Sequence, residues 1–232
     1  LPIPEVFRYS PNIASVKIAD MVGIDGHKAF LTRLGLLSRL DTELPEIAMP
    51  TQPRVWKKIN SATISYGHGM ATTPLQTAVA AAALLNGGKL IQPTFLARHR
   101  GDAPPPSTQV LDERTSAHMR YLFDWNGKTG SGRSADAPGF HVGGKTGTAD
   151  KVVNGRYATD LNFNAFLGGF PMHEPRYVVL SIIDAPLTGE SGRRLAAYTA
   201  APMIKEIVSR AAPLLGVEPR FGVDDPMLLV GY

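Results

Sequence analysis

Between Ser10 and Gly35 the apolar positions recur at helical spacing in two short runs. Ile13, Val16, Met21 and Val22 fall near one face of a first helix that Gly23 can stop. Phe30, Leu31 and Leu34 mark a second helix, with Asp25 as a possible cap and Gly35 as its close. Residues 41–58 carry Pro45, Pro50 and Pro53 and read as an extended loop, and Ser65 to Gly69 as a turn. Thr73 then Pro74 reads as an N-cap with Pro in the first helical turn, opening an Ala-rich run from Leu75 to Leu85 that is apolar nearly all round. Asn86-Gly87-Gly88 ends it, and the prolines between Asp102 and Ser107 mark a surface connection. Thr115 is positioned to cap a helix reaching Trp125, with Met119, Leu122 and Phe123 inward, and the stretch from Asn126 to Gly139 reads as a long loop.

Three strands are predicted at His141–Ala149, Asn162–Phe170 and Arg176–Asp184. The third is apolar on both faces and reads as a central strand covered on both sides. Asn154-Gly155 and Pro171 between them suit antiparallel connections. A last helix is predicted from about Arg193 to Leu215. Its buried face would be Leu195, Met203, Ile204, Ile207, Val208 and Ala211, with a kink at Pro202. The pattern predicts an α/β fold, an antiparallel sheet flanked by helices, with no domain linker between residues 1 and 232.

Composition narrows the classes. The 232 residues are 44% hydrophobic and 19% charged, which is enough apolar content for a sizeable core and excludes a disordered chain. Lys plus Arg is 24 against 20 for Asp plus Glu, and no run of five like charges occurs. That thin excess, without an aromatic stripe, argues against nucleic acid as partner and suits an anionic substrate. Cysteine is absent, so disulfides, thiolate metal sites and a Cys nucleophile are excluded. No apolar run of 18 residues occurs, so no membrane anchor lies within the sequence. The opening Leu1-Pro2-Ile3-Pro4-Glu5 has no Met and no signal core, and reads as the interior of a longer polypeptide.

The run from Gly139 to Thr146 fits the phosphate-binding pattern G-x-x-x-x-G-K-[ST]. Its context is wrong, because a Gly/Pro/Ser loop precedes it and no amphipathic helix follows. The same lysine begins Lys145-Thr146-Gly147-Thr148. On a strand, Lys and Thr side chains would face a groove, and Gly would let a substrate backbone approach closely. Alone this is an ordinary surface strand with an exposed lysine. Upstream stands Ser10-Pro11-Asn12, in which Ser10 or Asn12 could simply cap a helix. Serine acyl-transfer enzymes of the penicillin-recognising kind carry Ser-x-x-Lys, Ser-x-Asn and Lys-Thr-Gly, and two of the three are present in order.

Four blocks then resemble the class B penicillin-binding proteins, especially the division-type transpeptidases. They are Tyr9–Ala19, Ala62–Gln76 with its Ser65-Tyr66-Gly67-His68-Gly69 and Thr73-Pro74-Leu75-Gln76, Gly139–Ala149, and Ala165–Pro171 followed by Tyr177–Pro186. The resemblance implies a penicillin-binding transpeptidase fold with residues 1–232 as the C-terminal portion of its transpeptidase domain. It implies a peptidoglycan D,D-transpeptidase that cross-links stem peptides ending in D-Ala-D-Ala through a serine acyl-enzyme, is trapped by β-lactams and acts in septal wall synthesis. Ser10 would relay a proton to the leaving amine, and Asn12 would hold the substrate amide and orient the catalytic lysine. Lys145 would draw in the substrate carboxylate. Thr146, Gly147 and Thr148 would line the substrate groove, with the Thr148 hydroxyl on that carboxylate and its backbone N–H in the oxyanion hole. No metal or cofactor is implied. Division and cell-wall synthesis proteins would be partners. The location implied is the outer face of the bacterial inner membrane, in the periplasm.

The departure from the family is large. No serine has a lysine three positions on, so the nucleophile is absent from these residues and is expected upstream. The chain alone should therefore be inactive. Pro11 at the middle of Ser-x-Asn departs from many relatives but suits the first position of a helix. Two other readings stand beside the transpeptidase. A serine β-lactamase would need a deacylating glutamate followed closely by an asparagine, and Glu43 and Glu46 have none before Asn60. A non-catalytic sensor or scaffold would lack the nucleophile in the full-length protein. His68, His141 and His173 read as structural, since His173-Glu174-Pro175 cannot form a zinc helix.

Overall fold

The computed structural model describes residues 1–99, 101–153, 156–187 and 194–222. The chain divides into two compact units, Ser10–Ser116, which is mostly helical, and Leu1–Tyr9 with the residues from Ala117 onward, which is built on a sheet.

The helical unit begins with α2 (Asn12–Arg33), preceded in the chain by α1 (Ile3–Tyr9). Gly23 breaks α2 as predicted, at φ 78° and ψ 163°, a conformation open to glycine. The first half presents its apolar stripe to solvent, with Met21 87% and Ile13 73% exposed. Periodicity names a stripe but not whether anything covers it. Within α2 only Ala19 and Leu31 are buried, and Leu34 at its C-cap is buried as well. Leu31 packs with Leu37 and Ile64, and Leu34 with Ala80 and Ala83, in two small clusters.

Helix α3 (Lys58–Ser65) was not predicted. It is short and has few apolar positions to betray its period, and it is held by a capping box in which the Lys57 N–H donates to Asn60 Oδ1 at 2.9 Å. Helix α4 (Pro74–Leu85) starts where expected, with Thr73 and Gln76 forming a reciprocal cap. Gln76 is buried and its amide donates to Ser38 O at 2.7 Å and Gly35 O at 3.2 Å, tying the loop after α2 to the start of α4. The proline-rich connection leads into a strand that sequence reading missed. Strands β1 (Lys89–Ile91) and β2 (Ser107–Gln109) form a small antiparallel pair.

Helix α5 (Glu113–Thr129) is longer than predicted at both ends. Asp112, not Thr115, caps it: the Thr115 N–H donates to Asp112 Oδ1 at 2.6 Å. Asn126 to Thr129, read as loop, are its last turn. Gly127 and Asn126 are poor helix formers by propensity, but their packing overrides that preference. In the sheet unit, Phe7 of α1 meets Phe123 of α5 with ring centroids 5.5 Å apart.

The sheet consists of β3 (Gly143–Val153), β4 (Arg156–Phe170) and β5 (Tyr177–Asp184), antiparallel and in that order. The Asn154-Gly155 turn lies outside the described residues. Among the described strands β4 pairs on both sides, and β5 pairs with β4. One face of β5 packs on the main core through Tyr177, Val179 and Ile183. That core is completed by α6 (Ala200–Leu214), whose Ala201, Ile204, Val208 and Ala212 are fully buried along one face. Leu195 precedes α6 and is exposed, and Met203 and Ile207 lie 42% and 41% exposed, so the buried stripe sits to one side of the predicted one. Pro202 falls in the first turn, where its missing N–H has no partner to lose, so it does not kink the helix. The predicted start at Arg193 lies outside the described residues.

Candidate active site

Two glycines seat the strand that carries Lys145. A Cβ on Gly143 would lie 2.8 Å from the Phe123 carbonyl carbon and 2.9 Å from the Asp124 nitrogen. The start of β3 therefore touches the backbone of α5 directly. A Cβ on Gly144 would lie 2.3 Å from Cζ of Phe166, whose ring fills the space above it. Gly127 completes the contact from the helix side, where a Cβ would lie 2.6 Å from the Val142 carbonyl oxygen. The Asn126 amide donates to Gly144 O at 2.6 Å from a fully buried position.

Register decides what each residue of Lys145-Thr146-Gly147-Thr148 faces. Lys145 and Gly147 pair with Leu167 and Ala165, while Thr146 and Thr148 pair with Phe166 and Asn164. Alternation then puts Lys145 and Thr146 on opposite faces of the sheet. β3 is an edge among the described strands, however, so its rim is reachable from both faces. Gly147 is exposed, and a Cβ built on it would meet nothing within 4 Å.

The lysine is half-buried. Its ammonium donates to Thr146 O at 3.2 Å, and among the described residues no carboxylate pairs with it. Burial pushes it below the ordinary lysine range. A desolvated cation without a carboxylate attracts an anionic ligand more strongly than a hydrated one. Thr146 Oγ1 lies 2.7 Å from Ser131 Oγ. Thr148 Oγ1 accepts the Ala196 N–H at 3.1 Å, which leaves the hydroxyl proton available. Beside it on β4, fully buried Asn164 donates to Arg194 O at 2.6 Å and Thr199 Oγ1 at 2.9 Å. These bonds fasten the segment before α6 to the sheet.

Ser10 and Asn12 belong to the helical unit and are both exposed. Pro11 is the N-cap of α2 and no side chain caps that helix. The Pro11 carbonyl instead accepts from Ala14 N at 3.1 Å and Ser15 N at 3.2 Å. The bland reading of Ser10 or Asn12 as a cap is therefore set aside. Ser10 has φ 52°, a left-handed conformation that costs a serine on the order of 1–2 kcal/mol.

The structure assigns other work to several alternatives. Glu43 receives the Thr94 hydroxyl and, at 3.0 Å, the Phe95 N–H, so its carboxylate joins two loops. Those bonds hold it below the usual carboxylate range. His141 lies before β3 rather than on it, with φ 49°, and its Nε2 is 3.1 Å from Arg220 O. Its ring meets His173 edge-on at 5.6 Å. The phosphate-loop pattern runs into a strand, which removes the helix N-terminus such a loop needs.

Sequence reading missed Asn126, Ser131 and Asn164. Asn164 alone left a signal, a polar residue amid the apolar run of β4. The other two sit in a Gly-rich stretch where any polar residue looks like surface.

Known proteins resemble this chain in sequence and in fold. The family described as "Penicillin binding protein transpeptidase domain" matches residues 2–208. The chain is 38% identical over 229 residues to the "Probable peptidoglycan D,D-transpeptidase FtsI" of Caulobacter vibrioides, covering 94% of this chain and 39% of that protein. It thus spans well under half the length of that relative. Among solved structures, the apo TP domain of Burkholderia pseudomallei penicillin-binding protein 3 superposes with TM-score 0.85 at 28% identity, covering 95% of this chain and 66% of that one. The penicillin-binding protein 3 of Mycobacterium tuberculosis, solved with ampicillin, shares the fold at TM-score 0.84 and 24% identity, over 99% and 54% of the two chains. The match across 2–208, on a mixed helix and antiparallel-sheet fold, establishes that the chain belongs to the penicillin-binding protein transpeptidase domain family.

Proposed function

We propose that the chain is the C-terminal portion of the transpeptidase domain of a peptidoglycan D,D-transpeptidase acting in division. The observation that carries this reading is the open rim of β3. It combines a desolvated, carboxylate-free Lys145 with an exposed Gly147 that has free space above it. An edge strand of this kind suits an extended anionic peptide, because main-chain groups supply affinity and the cation supplies the charge match.

In this reading a serine in a Ser-x-x-Lys segment of the full-length protein attacks the penultimate carbonyl of a stem peptide. The bond to the terminal D-Ala nitrogen breaks, and Ser10 passes the serine's proton to that nitrogen. Asn12 holds the substrate amide and orients the lysine of the upstream motif. Lys145 draws in the terminal carboxylate, and the hydroxyls of Thr146 and Thr148 donate to it. The Thr148 N–H stabilises the oxyanion. The amine of a second stem peptide then attacks the acyl-enzyme carbonyl, forming the cross-link and returning the serine. A β-lactam enters as a mimic of the dipeptide and stays as a stable acyl-enzyme. The full-length protein sits at the bacterial inner membrane with this domain in the periplasm, beside division and wall-synthesis partners. No described helix is long and apolar enough to cross a membrane.

The test is labelling with a fluorescent penicillin. The full-length protein should be acylated stoichiometrically and residues 1–232 alone should not. Labelling of residues 1–232 would overturn the placement of the nucleophile, and no labelling of the full-length protein would overturn the transpeptidase reading in favour of a scaffold.

A further inference from the structure

The turn that ends α5 holds the residues on both sides of Lys145. Asn126 Nδ2 holds the Gly144 carbonyl at 2.6 Å, and Ser131 Oγ meets Thr146 Oγ1 at 2.7 Å. The turn is itself wound tightly on Asn126, whose carbonyl accepts from Gly130 N at 3.0 Å and Gly132 N at 3.3 Å. Space is tight on each side of Ser131, most of all at Gly130. A Cβ on Gly130 would lie 2.1 Å from Asn126 Oδ1, and one on Gly132 3.1 Å from Asn126 O. Ser131 is therefore presented to β3 by a backbone that has little room to move.

We propose that Ser131 is a positioning residue that sets the direction in which the Thr146 hydroxyl donates, and through it the affinity for a carboxylate-bearing acyl donor. The inference rests on the transpeptidase reading above. Two hydroxyls 2.7 Å apart share one proton between them, and either oxygen can be the donor. If Thr146 donates to Ser131, no Thr146 proton is left for an incoming anion. If Ser131 donates, the Thr146 proton is released toward the rim, and the bond it accepts polarises it into a better donor. An anionic ligand beside Lys145 favours the second arrangement. Ser131 thus lets Thr146 donate to the ligand without losing its own partner. The role concerns ground-state recognition of the carboxylate and does not touch the reacting carbonyl.

The experiment uses the full-length protein that carries this chain, with a fluorescent penicillin and its carboxylate methyl ester as probes. For Ser131→Ala the half-saturating concentration of the acid should rise roughly three- to tenfold, the scale of one hydrogen bond. The limiting acylation rate and the melting temperature should stay near wild type. Ser131→Thr should restore the wild-type value, and the ester should acylate wild type and Ser131→Ala alike. Unchanged half-saturation for Ser131→Ala, an equal loss with the ester, a fall only in limiting rate, or failure of Ser131→Thr to rescue would each overturn the proposal. Wild type that is not acylated at all would overturn the transpeptidase reading and this inference with it. Acylated wild type with an indifferent Ser131→Ala would overturn this inference alone.

Discussion

The side-chain amide of Asn126 donates to the carbonyl of Gly144 across 2.6 Å, from a helix to the residue before Lys145. Asn126 Oδ1 has no hydrogen-bond partner and is buried. One end of this amide therefore fastens the strand, while the other end is a desolvation penalty.

That asymmetry makes two substitutions differ. Asn126→Leu removes the donor and the orphaned oxygen together, so part of its cost is recovered. Asn126→Asp sets an acceptor against the Gly144 carbonyl and buries a charge. The expected loss is about 1–2 kcal/mol for Asn126→Leu and clearly more for Asn126→Asp, on the scale of unmade buried hydrogen bonds. Urea titrations of the two variants measure the order, and equal losses would contradict it.

The glycines of this strand separate stability from recognition. Gly144→Ala drives a methyl group toward the Phe166 ring and, at 2.7 Å, the Leu167 carbonyl oxygen. Overpacking of this kind costs about 1–3 kcal/mol, read as a lower melting temperature. Gly147→Ala meets open space and should leave the melting temperature unchanged while slowing penicillin acylation of the full-length protein, because its methyl group stands where the ligand backbone passes. A large melting shift for Gly147→Ala would show that its role is packing.

Lys145 links function to stability through pH. Its folded value lies below lysine's ordinary 10.5, so between those values the unfolded chain holds more protons than the folded one. Stability contributed by this site therefore rises with pH through that window, and the burial penalty is fully present below it. Lys145→Met should melt higher than wild type at neutral pH, with the gap closing as pH approaches 10.5. It should also lose penicillin acylation. Thermal melts across that range measure both arms of the curve, and a gap independent of pH would assign the gain to packing instead.

Much of this was legible along the chain because it is local. The Thr73-Pro74 cap, the break at Gly23 and the existence of three strands follow from caps, glycine conformations and period-two patterning, although β3 runs on to Val153 and β4 begins at Arg156, beyond the predicted bounds. The candidate site motifs stood out for the same reason, since Ser10, Asn12 and Lys145 to Thr148 each lie in a short ordered block. What escaped needed partners distant in sequence. The apolar run of Tyr177–Asp184 announced a buried strand, but only the fold shows that Tyr177, Val179 and Ile183 are the residues it lays on the core around α6. Asn126 and Ser131 looked like loop residues, and only the close approach of α5 to β3 sets them on Gly144 and Thr146. The amino-acid order by itself determined the family blocks and the candidate groups within them. Tertiary structure alone decided which of them alternate to opposite faces, which amide holds the strand, and how far Lys145 is withdrawn from water. Desolvation and backbone-to-backbone contact depend on the whole packed surroundings of a residue rather than on its neighbours in the chain.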